Sequence, residues 1–209
     1  MLLKHLRDYL AQPRQAGEAE PAQSERRTAR RRTVYLHATV YPIDVFCDVR
    51  ICDASATGVK GEANVELSVG QIMHITTDEL RYHPGTVKWV FGRQFGLDLP
   101  HALQMFDVDP DHVDHGDGVG HQPRLMRHAI DVTARLLAGR PPRPATIRNV
   151  SSTGMLLDTG PGLRPGQHII VKAGNAPCVY GRIQWAGNGK IGFKAQNAIS
   201  TLAFACLEE

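Results

Sequence analysis

Apolar residues in this chain fall in short alternating runs cut by glycine and proline, the period-two pattern of strands buried on one face. The first set runs Thr33 to Tyr41, Phe46 to Cys52, Gly58 to Glu62, Gln71 to Ile75, Gly85 to Phe91 and Gln94 to Leu99. A second set follows at Ile130 to Leu137, Ala145 to Val150, Met155 to Thr159, His168 to Lys172, Cys178 to Ala186 and Ile191 to Ala195. Helical spacing replaces alternation at the end of each set, His101 to Phe106 and Ala198 to Leu207, and again at Leu2, Leu3, Leu6, Tyr9 and Leu10, which predicts an N-terminal amphipathic helix ending before Pro13.

The two sets are copies. Trp89 and Trp185 are 96 positions apart, and the same shift superposes Arg31 on Arg127, Ser55 on Ser151, Thr57 on Thr153, Gly58 on Gly154, Gly85 on Gly181 and Gly96 on Gly192 without a gap. Loop lengths therefore match as well as residues, the mark of an internal repeat. The expected fold is all-β: two tandem small six-stranded antiparallel β-barrels, each with a short C-terminal helix. The implied domains are an N-terminal helix and flexible tether over 1–24, a first barrel over 25–106, an acidic, histidine-bearing linker over 107–121 and a second barrel over 122–209.

Composition adds little until charge is located. With 42% hydrophobic and 22% charged residues the chain has the makings of real cores. The net charge is only +3, but five arginines fall between Arg26 and Arg32, concentrating positive potential where an anion would be the natural partner. Four cysteines without CxxC spacing and no leader-like segment suggest a reduced, cytoplasmic protein, and no apolar run is long enough to span a membrane.

Two short motifs carry the candidate chemistry. Arg27 and Arg31 form RxxxR, as do Arg26 and Arg30; as part of an arginine run, this also reads as a solvated basic arm. Asp53-Ala54-Ser55-Ala56-Thr57-Gly58 is DxSxxG after an apolar strand, and it too has a plain reading as a side-chain-closed turn with Gly58 at positive φ. The combination, followed by Val-x-Trp and Phe-Gly-x-x-Leu strands, resembles the PilZ domain family across Glu25 to Phe106. The resemblance is weaker from Gln122 onward, where Asn149-Val150-Ser151-Ser152-Thr153-Gly154 repeats the second motif.

The resemblance implies a non-catalytic receptor for cyclic di-GMP, with the arginine loop closing over a ligand on the barrel surface. The residues suit it: guanidinium forks match phosphate oxygens and the guanine O6/N7 edge and stack on purines, while Asp53 can accept from guanine N1 and N2. The implied ligand set is Arg26, Arg27, Arg30, Arg31, Asp53, Ser55 and Gly58, with the output relayed to a protein partner in motility, exopolysaccharide or biofilm control. In the second copy Pro123 stands where Arg27 does in the first, so Arg127, Asn149, Ser151 and Gly154 are expected to form at most a weak second site.

Alternatives are a barrel adaptor that binds protein but no nucleotide, and a single-strand nucleic-acid binder, against which the local rather than distributed basic charge argues. No nucleophile elbow, P-loop or dinucleotide fingerprint is present, and the Asp- and His-rich stretch 107–117 lacks the glycine and glutamate of a calcium loop. Neither an enzyme nor a metal site is expected. Trp89 and Trp185 are read as core residues.

Overall fold

The computed structural model describes residues 31–108 and 127–207. Its strands are β1 (Arg32–Ser55), β2 (Gly58–Glu62), β3 (Ile72–Thr76), β4 (His83–Phe91), β5 (Gln94–Asp98), β6 (Arg127–Gly139), β7 (Arg143–Ser151), β8 (Gly154–Asp158), β9 (His168–Lys172), β10 (Val179–Gly187) and β11 (Lys190–Ala195). Helix α1 (Ala102–Met105) follows β5, and α2 (Thr201–Ala205) follows β11. The predicted N-terminal helix, Arg26, Arg27, Arg30 and most of the linker lie outside the described residues. No described helix is long and apolar enough to cross a membrane.

All pairings are antiparallel and join the eleven strands in the order β2-β5-β4-β3-β6-β1-β7-β8-β11-β10-β9, with further β2–β1 and β1–β9 pairings. The first closure makes a six-stranded barrel from the C-terminal half of β1 with β2, β5, β4, β3 and β6. The β1–β9 pairing closes a corresponding ring from the N-terminal half of β1 with β7, β8, β11, β10 and β9.

These pairings depart from the expectation that each copy closes on itself. The first strand of each copy is exchanged: Leu36 to Val40 pair with Ile147 to Arg143 of the second copy, while Val45 to Ser55 pair with Ala138 to Arg127. The runs at 33–41 and 46–52, expected as two strands, form one continuous β1 of 24 residues. The cores follow the exchange. Val34, Leu36, Ala38 and Val40 are buried with Ile147, Leu157, Ile183 and Phe193; Ala134, Leu136 and Ala138 are buried with Ile51, Met73, Val87 and Phe95.

The reason lies at the crossing. A tight hairpin needs residues that accept positive φ, glycine or asparagine above all, and Pro42-Ile43-Asp44-Val45 offers neither, so β1 runs straight on. At the equivalent point in the second copy, Pro141 and Pro142 hold the chain extended, and β6 and β7 lie end to end along β1. Gly139 permits the close passage, since a Cβ there would stand 2.0 Å from the Pro42 carbonyl oxygen. Asp44 and Arg140, equivalent under the 96-residue shift, face one another at this point in an exposed ion pair of 3.2 Å, marking an approximate two-fold axis.

Candidate functional site

Each DxSxxG-type segment forms the tight connection between two strands, β1 to β2 in one barrel and β7 to β8 in the other. Ser55 Oγ donates to the Gly58 carbonyl at 3.1 Å, and Ser151 Oγ to that of Gly154 at 3.2 Å. Both serines are buried, so their hydroxyls close the turn. The glycines do not have positive φ; they are needed because a Cβ on Gly58 would fall 2.5 Å from the Leu97 carbonyl oxygen, and one on Gly154 2.1 Å from that of Phe193. The plain turn reading of the motif thus accounts for its serine and glycine, leaving the first residue, Asp53 or Asn149, free to face outward.

Beside each turn is an open cavity. The one next to Asp53, about 490 Å³, is lined by Asp53, Thr57, Lys88, Trp89, Asp98 and Arg127. The other, about 370 Å³, is lined by Arg31, Asn149, Thr153, Trp185, Lys190 and Lys194. Both volumes fall within the range of small-molecule sites. The strand exchange decides which arginine serves which turn. Arg31 is brought to Asn149, not to Asp53; Arg127 is brought to Asp53, its Nη1 3.9 Å from Oδ2. The expected grouping of Arg31 with Asp53, Ser55 and Gly58 is therefore corrected, as is that of Arg127 with Asn149, Ser151 and Gly154.

Electrostatically the equivalent cavities differ. In the first, Lys88 Nζ lies 2.9 Å from Asp98 Oδ2 and Arg127 is paired with Asp53, so its cations are largely neutralised. In the second, Asn149 replaces Asp53 and Lys194 replaces Asp98, and no carboxylate lines the cavity. Among the described residues, neither Arg31, Lys190 nor Lys194 is paired with an acidic side chain. A dianion is attracted to the second cavity and meets a balanced surface in the first.

The tryptophans also differ from expectation. Trp89 is 37% exposed and Trp185 49%, and each indole lies across the glycine opposite it on the neighbouring strand, Gly96 or Gly192. A Cβ on Gly96 would stand 2.0 Å from Trp89 Nε1, and one on Gly192 2.1 Å from Trp185 Nε1. The rings are walls of the cavities with one face available to stack on a planar ligand. The repeated Trp-x6-Gly spacing was the sequence signal, since a large ring covering a cross-strand glycine stabilises a sheet surface without entering the core.

No group of three or more metal-ligating side chains is assembled among the described residues, and the described cysteines are free thiols. No family model and no solved structure matches the chain. Among curated proteins it is similar to the tRNA-specific 2-thiouridylase MnmA of Brucella melitensis, 26% identical over 137 residues, which cover 54% of this chain and 34% of that protein. The chain thus spans about a third of the length of this curated relative.

Proposed function

We propose that the chain is a pair of interlocked PilZ-like barrels that binds cyclic di-GMP at the second barrel, in a site composed across the repeat: Arg27 and Arg31 from the first copy, and Asn149, Trp185, Lys190 and Lys194 from the second. One observation carries this reading. Arg31, the last arginine of RxxxR, lines the same carboxylate-free cavity as the Asn149-x-Ser151-x-x-Gly154 turn. Arg31 and the turn that resembles the second PilZ motif thus share one cavity, whereas the cavity at Asp53 receives Arg127, which in the sequence has Pro123 four residues before it in place of an arginine.

Each ligand feature finds a chemical counterpart. The guanidiniums and lysines suit the two phosphates, the exposed face of Trp185 suits a guanine ring, and the Asn149 amide can both donate to and accept from a guanine edge. Arg26 and Arg30 add positive charge to the same segment. No step of bond making is required; the output is a change in how the arginine segment lies, read by a protein partner.

Titration calorimetry of the full chain tests the assignment. Arg31→Ala and Asn149→Ala should abolish or weaken cyclic di-GMP binding at least tenfold, and Asp53→Ala should leave it unchanged. Loss of binding on Asp53→Ala with retention in Asn149→Ala would move the site to the first barrel; no binding by the wild type would remove the proposal. A labelled tRNA is a suitable control because the similar thiouridylase is named for tRNA.

A further inference from the structure

The cavity at Arg31 does not end at Lys194. A second cavity of about 410 Å³ shares Gln184 and Lys194 with it and continues along β10 and β11 to Arg182, Tyr180 and His168. We propose that this second chamber is a phosphate subsite, so that the ligand site of the second barrel is bipartite.

Three observations converge. First, Arg182 and Lys194 are directly opposed across the β10–β11 pair, and like charges so placed destabilise a sheet. Neither is paired with a carboxylate among the described residues, so the repulsion has no internal remedy; a bound anion supplies one.

Second, the chamber presents donors. Arg182 Nε donates to His168 Nε2 at 3.0 Å, which fixes that nitrogen as the acceptor and puts the ring proton on Nδ1, facing the Tyr180 hydroxyl oxygen at 2.5 Å. The hydroxyl proton of Tyr180 is left to donate outward, beside the remaining guanidinium nitrogens of Arg182 and the Lys194 ammonium. Burial, and then the neighbouring Arg182 charge, hold His168 below the usual imidazole range, consistent with a neutral ring that orients Arg182.

Third, the first barrel provides an internal comparison. The positions equivalent to His168, Tyr180, Arg182 and Lys194 are Ile72, Pro84, Thr86 and Asp98, and the corresponding cavity there is lined by no cation, only by the neutral hydroxyls of Tyr41 and Thr86 and the Asp98 carboxylate. Two copies of one fold have kept the same wall and placed the unpaired cations in only one.

The chamber rests on the proposed nucleotide site and shares Lys194 with it, so Tyr180 and Arg182, which line the chamber alone, and two probes keep the two ideas apart. With inorganic pyrophosphate, followed by amide NMR shifts, the signals of Tyr180, Arg182 and Lys194 should move in the wild type and stay still in Lys194→Asp, which installs the first barrel's own residue. With cyclic di-GMP, Arg182→Ala and Lys194→Asp should each weaken binding about tenfold and flatten its salt dependence, while Lys194→Arg retains both and all variants melt as cooperatively as the wild type. A stoichiometry of one ligand per chain would assign the chamber to the second phosphate of the same molecule, and two per chain to a second nucleotide. Unmoved signals with pyrophosphate, or wild-type affinity and salt dependence in both variants, would overturn the subsite. Pyrophosphate shifts without any cyclic di-GMP binding would retain the subsite and dismiss the dinucleotide.

Discussion

His74 shows how much one side chain can impose at the junction of the two barrels. It is 1% exposed, packs edge-on against Tyr41 at 4.6 Å, and its Nε2 has no hydrogen-bond partner among the described residues. Burial, reinforced by the Lys172 charge, lowers its pKa to about 3. The unfolded chain, with an imidazole near 6.5, binds the proton first, so stability is full above that pH and falls as the pH drops toward 3. Denaturant titrations should show about 3 kcal/mol lost between pH 7 and pH 4 from this group alone, and His74→Phe should flatten that slope. The tryptophans give a second residue-scale prediction. With Trp89→Phe as background, cyclic di-GMP should quench Trp185 fluorescence, whereas Trp185→Phe protein should show no ligand-dependent change from Trp89. At this scale a turn was legible as one of two readings of the Asp53–Gly58 motif, although Gly58 was expected at a positive φ that it does not have. What the glycines do was not legible, because their need arises from carbonyls on strands distant in sequence.

Strand by strand, the alternation of buried and exposed residues located the elements well and their partners poorly. Val34, Leu36, Ala38 and Val40 present the same inward face whichever barrel they enter, so periodicity cannot say which core they fill. The information was in the turns: no glycine or asparagine between Tyr41 and Phe46, and two prolines after Arg140. The placement of Arg31 at the same cavity as Asn149 follows from that crossing and was invisible without it. Because β6 completes the barrel built mainly from the first copy, Leu136→Ala, at a fully buried position, should cost about 2–5 kcal/mol. Hydrogen exchange should then accelerate first in β2 to β5, not in β7 to β11, although Leu136 belongs to the second copy in sequence.

For the whole molecule, the exchange makes separation of the copies impossible without losing both. A protease site inserted between Asp109 and Met126 tests this directly: after cleavage the two fragments should remain one particle by size-exclusion chromatography, and each fragment expressed alone should fail to give a cooperative melt. Two independently folded products would show that each half can close on its own strand, contrary to the pairings observed here.

The long shared strand also orders events during synthesis. Residues 32–43 leave the ribosome about a hundred residues before their first partners in β7, and longer before those in β9, and the barrel begun by β2 to β5 stays open until β6 emerges. Pairings so far apart in sequence fold slowly and leave strand edges unsatisfied meanwhile. Nascent chains of this protein are therefore natural clients for chaperones until β9 has emerged.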